Sequence, residues 1–305
     1  MIQKLYETLC NINGTEQVLR DEPMSRHTTF RIGGPAALFC IPRSVPALAA
    51  TVKACIEADI PYYILGNGSN VLVSDAGYQG VVIQLFRNMD GIRIRGTEME
   101  VEAGALLVKI AHTAAKESLT GLEFASGIPG TLGGGLTMNA GAYGGEMKDV
   151  VKEAVVMKPD GEILRLTKEE LELGYRTSVI ARKGYLVISA LLKLKEGEAE
   201  VIRARMQELK EARISKQPLE YASAGSTFKR PEGYFAGKLI MDAGLRGFTV
   251  GGAQVSEKHC GFVINRGGAT AQNVMDLVRQ VQNEVKKQFG VDLELEVKLL
   301  GFADR

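Results

Sequence analysis

Three polar side chains in this sequence have types that could do chemistry. They are Arg176 in GYRTS (174–178), Ser226 in ASAGSTFKRP (222–231) and Glu296 in VDLELEVKLL (291–300). An arginine offers a planar, permanently charged fork that matches a carboxylate. A serine offers a hydroxyl, and a glutamate a carboxyl that donates when protonated. Taken singly, each is more commonly a surface or capping group. Glu294 and Glu296 share one face of a period-two pattern, so spacing does not choose between them. Glycine supplies a second kind of chemistry, in ILGNGSN (64–70) and FASGIPGTLGGGLTMNAGAYGGE (124–146). Such loops aim backbone N–H groups at an anion and let it approach without side-chain clash. Asn67, Ser69, Asn70 and Asn139 add uncharged donors. Two loops of this kind favour a large diphosphate-containing cofactor over two unrelated turns.

Several other chemistries are excluded. GNGSNV (66–71) places Val71 where a dinucleotide fingerprint needs its third glycine. Neither G-x-x-x-x-G-K-[ST] nor G-x-S-x-G occurs. The three histidines form no H-E-x-x-H, and the four cysteines no C-x-x-C, so no metal site is expected. Scattered thiols fit a reducing compartment. With 37 Lys+Arg against 36 Asp+Glu, the net charge of +1 gives no basic surplus for nucleic acid. The N-terminus is too polar for a signal peptide, and no apolar run approaches the ~18 residues that span a bilayer. The expectation is a soluble, cytoplasmic protein.

The elements that must carry these groups follow from pattern. A short amphipathic helix is expected over 2–12, a strand at 36–41, and a helix capped by Ser44 with Val45, Leu48, Val52 and Ile56 inward. Strands are expected at 62–65, 71–74 and 81–85, a hairpin over 92–103, and a helix near 105–117 with Leu106, Ile110 and Ala114 inward. A charged helix covers 198–218 up to Pro218. A stripe from Val274 to Phe289 reads as a helix ended by Gly290. After it, 291–300 alternates as one strand, with Val291, Leu293, Leu295, Val297 and Leu299 on one face. The irregular mixture indicates α+β units, with a domain boundary near 196–200.

In order along the chain, TTFRIGG (28–34), ILGNGSNVLVSD (64–75), SGIPGTLGGGLTMNAGAYGGE (126–146), GYRTS (174–178), KQPLEYASAGSTFKRP (216–231), GGAQVSEKHCGFVIN (251–265) and LELEVKLLG (293–301) resemble the UDP-N-acetylenolpyruvoylglucosamine reductases, the MurB family. The resemblance implies an α+β protein with a vanillyl-alcohol-oxidase (PCMH)-type FAD-binding domain. The implied division is an N-terminal helix and lead-in (1–29), the FAD-binding domain of two α+β subdomains (30–195) and a C-terminal substrate-binding domain (196–305). It implies non-covalent FAD, held by Leu65, Gly66, Asn67, Gly68, Ser69, Asn70, Gly127, Ile128, Pro129, Gly130, Gly134, Asn139, Ala140, Gly141 and Arg213. His27 is not expected to attach the flavin.

The implied reaction is the NADPH-dependent, ping-pong reduction of UDP-N-acetylglucosamine enolpyruvate to UDP-N-acetylmuramate, a step of peptidoglycan and cell-wall synthesis. Hydride from reduced flavin N5 adds to the vinyl carbon, leaving negative charge that needs preorganised donors. Arg176 and Glu296 match the family's stabilising residues, and Ser226 its proton donor. Burial would favour the neutral form of Glu296. Tyr175, Lys216, Lys229, Arg230 and His259 match substrate-side positions. The chain resembles the shorter family branch, which lacks an inserted tyrosine loop; VIARKGYLVI (179–188) is expected to lead directly into a strand. Tyr175, Arg182, Lys183 and Tyr234 are candidates to hold the uridine. No nucleic-acid or membrane partner and no metal is expected, and a monomer is. An FAD oxidase of the same fold and a non-catalytic nucleotide-sugar binder are the competing readings.

Overall fold

The computed structural model describes residues 1–302. The chain gathers into two compact units. One comprises Met1–Arg20, Leu38–Asn67 and Gly80–Arg213; the other comprises Asp21–Ala37, Gly68–Gln79 and Ile214–Arg305. This grouping is not the contiguous division expected above: residues 21–37 and 68–79 join the C-terminal third. The reason is non-local pairing. Lys298–Leu300 lies parallel to Val71–Val73, and the Asp75 carboxylate accepts from the N–H groups of Ala271 and Gln272 at 2.8 and 2.9 Å.

In the first unit, an antiparallel sheet of five strands runs in the order Ile163–Thr167, Val151–Met157, Leu186–Lys193, Glu98–Glu102, Ile92–Arg95. Tyr62–Leu65 pairs parallel with residues 81–84 of the strand Tyr78–Gln84. The helix Val45–Glu57 begins where the Ser44 hydroxyl accepts from Ala47 N–H, with proline in its first turn. It buries Leu48, Thr51, Val52, Ala54 and Cys55. Ile56, expected inward, lies exposed, because Cys55 takes the core-facing position. The helix Leu107–Lys116 buries Leu107, Ile110, Ala111, Ala114 and Ala115, and Leu106 is its N-cap instead of an inward residue. Ile110 and Ala114 face inward as expected; the helix only starts later, after the bridge between Leu106 and Thr131.

In the second unit, an antiparallel sheet runs in the order Ala222–Ser226, Phe262–Asn265, Ala253–Val255, Thr249–Val250. Helix Ala271–Phe289 lays Val274, Leu277, Val278, Val281 and Val285 into that unit's core. Thr270 and Asn273 form a capping box, and Gly290 closes the helix at φ +71°. The Asp75 carboxylate at this helix start adds about 1 kcal/mol of the charge–dipole kind.

The expected ten-residue terminal strand does not form. Only Lys298–Leu300 is a strand, and Leu295 makes a single antiparallel bridge with Phe228. Alternation holds up to Leu295 and then slips: Glu296 and Val297 are both buried, Leu299 is exposed and Leu300 is buried. The two ends of the segment answer to different partners, so one phase cannot serve both. Residues 179–183 form a short helix, not a direct lead into the strand. Ser178 caps it through Ala181 N–H, and Gly184 ends it at φ +64°. Among the described residues no helix is long and apolar enough to cross a membrane.

Candidate active site

The first unit carries the second glycine loop and residues 64–67 of the first. Gly66 stands so close to Thr131 that a Cβ would lie 2.4 Å from the Thr131 hydroxyl oxygen. The Asn67 side chain donates to the Pro129 carbonyl at 2.7 Å. The two loops are thereby locked side by side, with only small or neutral groups between them. Beneath them lies Gln84, 3% exposed. Its amide nitrogen donates to the Gly66 carbonyl at 3.4 Å, and its buried Oε1 has no protein partner. Arg213 packs on the second loop, its Cδ 3.0 Å from where a Gly127 Cβ would stand. Burial pulls the Arg213 guanidinium below its ordinary pKa, and nearby Tyr143 opposes this; arginine stays charged regardless. Closely apposed glycines, a buried orphan acceptor and a cation fit a bound dinucleotide with a diphosphate.

The later part of the glycine segment spends its backbone donors within the protein. The N–H groups of Leu132 and Gly133 donate to the carbonyls of Ala105 and Ala103. Those of Gly134, Asn139 and Ala140 donate to the Thr131 hydroxyl, Leu136 and Gly135. Gly141 pairs with Glu146 in a two-residue ladder. The segment from 132 onward is therefore bonded to protein, and Gly127 to Thr131 is the stretch that fronts Gly66 and Asn67.

Asn139 is engaged within the protein most fully. It is 1% exposed and holds φ +46°. Its side-chain nitrogen donates to Glu146 Oε2 at 2.6 Å and to the Gly174 carbonyl at 3.2 Å, while its oxygen accepts from Lys148 N–H at 2.9 Å. With its backbone N–H on Leu136, all of its donors point into the protein.

Arg176 sits at the tip of a tight turn in the same unit. Gly174 and Thr177 exchange backbone hydrogen bonds of 3.1 and 3.3 Å, leaving Tyr175 and Arg176 at the apex. Arg176 holds φ +54°, a conformation costing a non-glycine residue roughly 1–2 kcal/mol. Its guanidinium lies 5.3 Å from the ring centre of exposed Tyr175. Immediately after the turn, the Ser178 hydroxyl donates to the Thr137 carbonyl at 2.7 Å. Arg182 pairs with Glu172, and Lys183 lies 5.9 Å from the ring centre of Tyr185.

The second unit carries Ser226 and Glu296. A bulge separates Ser223 from Ser226 in the ladder with Phe262–Asn265. Gly225 makes it, at φ +75° with nothing near an added Cβ; the need for glycine here is conformational, and the bulge re-aims the next side chain. Beyond Ser226, Glu296 N–H donates to the Thr227 carbonyl at 2.9 Å, and Lys229 N–H donates to the Glu294 carbonyl at 2.8 Å. This short ladder separates the two carboxylates. Glu296 is buried at 8% exposure. Glu294 faces outward, its side chain 73% exposed and paired with Lys229. Asn70, read as a cofactor donor, gives its side-chain N–H to the Glu296 carbonyl at 3.2 Å.

Gly68, Ser69 and Asn70 also belong to this second unit, and a Cβ on Gly68 would strike the His27 carbonyl at 2.0 Å. His27 Nε2 bonds Glu22 at 2.9 Å. His259 takes a hydrogen bond on Nδ1 from Gly261 N–H at 3.1 Å and sits edge-on to Phe262. Burial pushes the imidazole below its ordinary pKa, so it is neutral at neutral pH with its proton on Nε2. Lys216 ends the helix Ala199–Lys216 and is exposed. Arg230 lies 3.9 Å from the ring centre of exposed Phe235 and donates to the Tyr234 carbonyl. Among the described residues no group of three or more His, Cys, Asp or Glu could hold a metal ion. Four side chains bearing on the site were missed from sequence: Gln84, Thr131, Glu146 and Ser178. Only Gln84, a polar residue inside the apolar run VVIQL, left a readable signal.

Residues 36–167 match the FAD binding domain family. The fold extends to a variant of Phl p 4, a glucose oxidase, at TM-score 0.50 and 12% identity, over 64% of this chain and 44% of that one. These matches define an FAD-binding protein of the vanillyl-alcohol-oxidase (PCMH) fold. Residues 217–300 match the C-terminal domain of UDP-N-acetylenolpyruvoylglucosamine reductase. The chain is 52% identical to the UDP-N-acetylenolpyruvoylglucosamine reductase of Clostridioides difficile over 299 residues, covering 98% of both chains. It superposes on the Thermus caldophilus MurB crystal structure at TM-score 0.80 and 37% identity, over 93% of this chain and 98% of that one. The chain belongs to the UDP-N-acetylenolpyruvoylglucosamine reductase family.

Proposed function

We propose that this chain reduces UDP-N-acetylglucosamine enolpyruvate to UDP-N-acetylmuramate, in the cytoplasm, with Arg176, Glu296 and Ser226 as its catalytic residues. Leu65, Gly66 and Asn67, with Gly127 to Gly130 and Arg213, hold FAD. The substrate-binding role falls to residues 217–300 and the cofactor-binding role to the first unit. When bound there, FAD would supply the hydride for the vinyl carbon, with NADPH as its source.

Arg176 pairs with the substrate carboxylate as negative charge spreads into it. Glu296 acts as a hydrogen-bonding acid; an ionised carboxylate would repel the developing enolate. Ser226 delivers a proton to the carbon next to the carboxylate. A hydroxyl is a weak acid, but an enolate dianion is a base strong enough to take its proton. The observation that carries this assignment is the burial of Glu296 on the ladder that begins beside Ser226, while Glu294 is turned to solvent and bound to Lys229. Lys229 is thereby engaged at its ammonium. Neutral His259, with Nε2–H available by its tautomer, and Lys216 and Arg230 serve as substrate contacts.

The purified holoprotein, kept anaerobic, tests the activity. NADPH is expected to bleach the flavin, and the enolpyruvyl sugar nucleotide to restore the yellow colour stoichiometrically. Recolouring by oxygen but not by the sugar nucleotide would favour an oxidase. A protein that binds the sugar nucleotide yet carries no flavin would favour a non-catalytic binder.

A further inference from the structure

We propose that Asn139 is a positioning residue for Arg176, acting through the carbonyl of Gly174; the inference rests on the catalytic role given to Arg176 above. Four observations converge within the first unit. The Arg176 turn is strained, because its third residue is an arginine at φ +54° where glycine or asparagine is the usual occupant. A turn of this kind relaxes by flipping the central peptide, which returns the third residue to negative φ and swings its side chain away. The Gly174 carbonyl closes the turn by accepting from Thr177 N–H, and the Asn139 amide binds that same oxygen from outside at 3.2 Å. The amide itself cannot rotate freely: Glu146 accepts from its nitrogen and Lys148 N–H donates to its oxygen.

Those two partners also fix which end of the amide is nitrogen, since a carboxylate needs a donor and an N–H needs an acceptor. Glu146 is braced in turn by the Lys148 ammonium at 2.5 Å and by its own N–H on Asp149. On the far side of the turn, Ser178 is anchored to the Thr137 carbonyl. Both flanks of the arginine are thus fastened to residues 137 and 139, within the glycine segment. Asn139 has no donor left for a bound phosphate, so its place in that segment is accounted for by the turn.

The test uses the flavin-loaded holoprotein with Asn139→Gly, which tolerates positive φ but lacks the amide. Amide exchange in the peptide 172–178 is expected to rise, with the strands at 151–157 and 186–193 unchanged. Flavin content and the rate of bleaching by NADPH should stay near normal, while reoxidation by the enolpyruvyl substrate slows by about 10²-fold, as for a catalytic group displaced by about 1 Å. The double variant Asn139→Gly/Arg176→Ala should be no slower than Arg176→Ala alone. Asn139→Asp is the second variant should the first fold poorly. It keeps the backbone preference and an acceptor for Lys148 N–H, cannot donate to Gly174, and should give the same pattern. Loss of flavin with normal reoxidation of what remains would overturn the proposal, as would unchanged exchange at 172–178 or a further drop in the double variant. Normal reoxidation by Arg176→Ala would instead overturn the role of Arg176 itself.

Discussion

Arg176 and Glu296 are held by opposite means. In the first unit, Arg176 rides a strained turn whose shape depends on side chains: Asn139 on one flank and Ser178 on the other. In the second unit, Glu296 hangs from main-chain hydrogen bonds, Glu296 N–H to Thr227 on one side and Lys298 N–H to Asn70 on the other. A group on a ladder inherits its place from the backbone and survives the loss of neighbouring side chains. A group on a tethered turn does not. Replacing the reactive group should hurt in both units, whereas replacing a neighbour should hurt mainly in the first.

The sharpest way to break this comparison is the pair of carboxylates on either side of Leu295. Glu296→Gln should slow reoxidation of reduced flavin by the enolpyruvyl substrate by about 10²-fold. Glu294→Gln removes only an exposed ion pair with Lys229, worth about 0–1 kcal/mol, and should change the rate less than about twofold. Equal effects would show that burial does not mark the working carboxyl. Next in size is Gly66→Ala. Its Cβ would press on the Thr131 hydroxyl, and flavin affinity should fall by about tenfold, the scale of a modest overpacking cost. Thr131→Ala in the same chain should restore part of it, as read by flavin retention on dilution. The smallest effect is expected from Asn70→Ala. It deletes the hydrogen bond to the Glu296 carbonyl, worth about 1 kcal/mol or roughly fivefold in rate. A loss as large as that of Glu296→Gln would erase the distinction between ladder and tether.

Local chemistry made much of this legible in the sequence. Ser44, Gly290 and the stripe from Val274 to Val285 announce their helices because caps and periodicity are short-range signals. The family resemblance carried the fold and the reaction. What could not be read depends on partners far away in the chain. Glu296 differs from Glu294 because residues 294–296 pair with 227–229 while 298–300 pairs with 71–73, and the change of partner shifts the phase. A strict alternation rule gives both glutamates the same face. The partners of Asn139 were illegible for a related reason. Asparagine among glycines is the composition of an anion loop, but its decisive partner, Gly174, lies 35 residues away. The grouping of residues 21–37 and 68–79 with the C-terminal third has the same origin in non-local pairing and capping.

The central claim is that the second unit's Ser226 protonates the substrate and has no part in taking electrons from NADPH. Anaerobic stopped-flow spectroscopy of Ser226→Ala, following the flavin's visible band through both half-reactions, addresses it directly. Bleaching by NADPH at the parental rate, followed by recolouring with the enolpyruvyl sugar nucleotide at least about 10²-fold slower, is the predicted result. Recolouring at the parental rate would contradict the assignment.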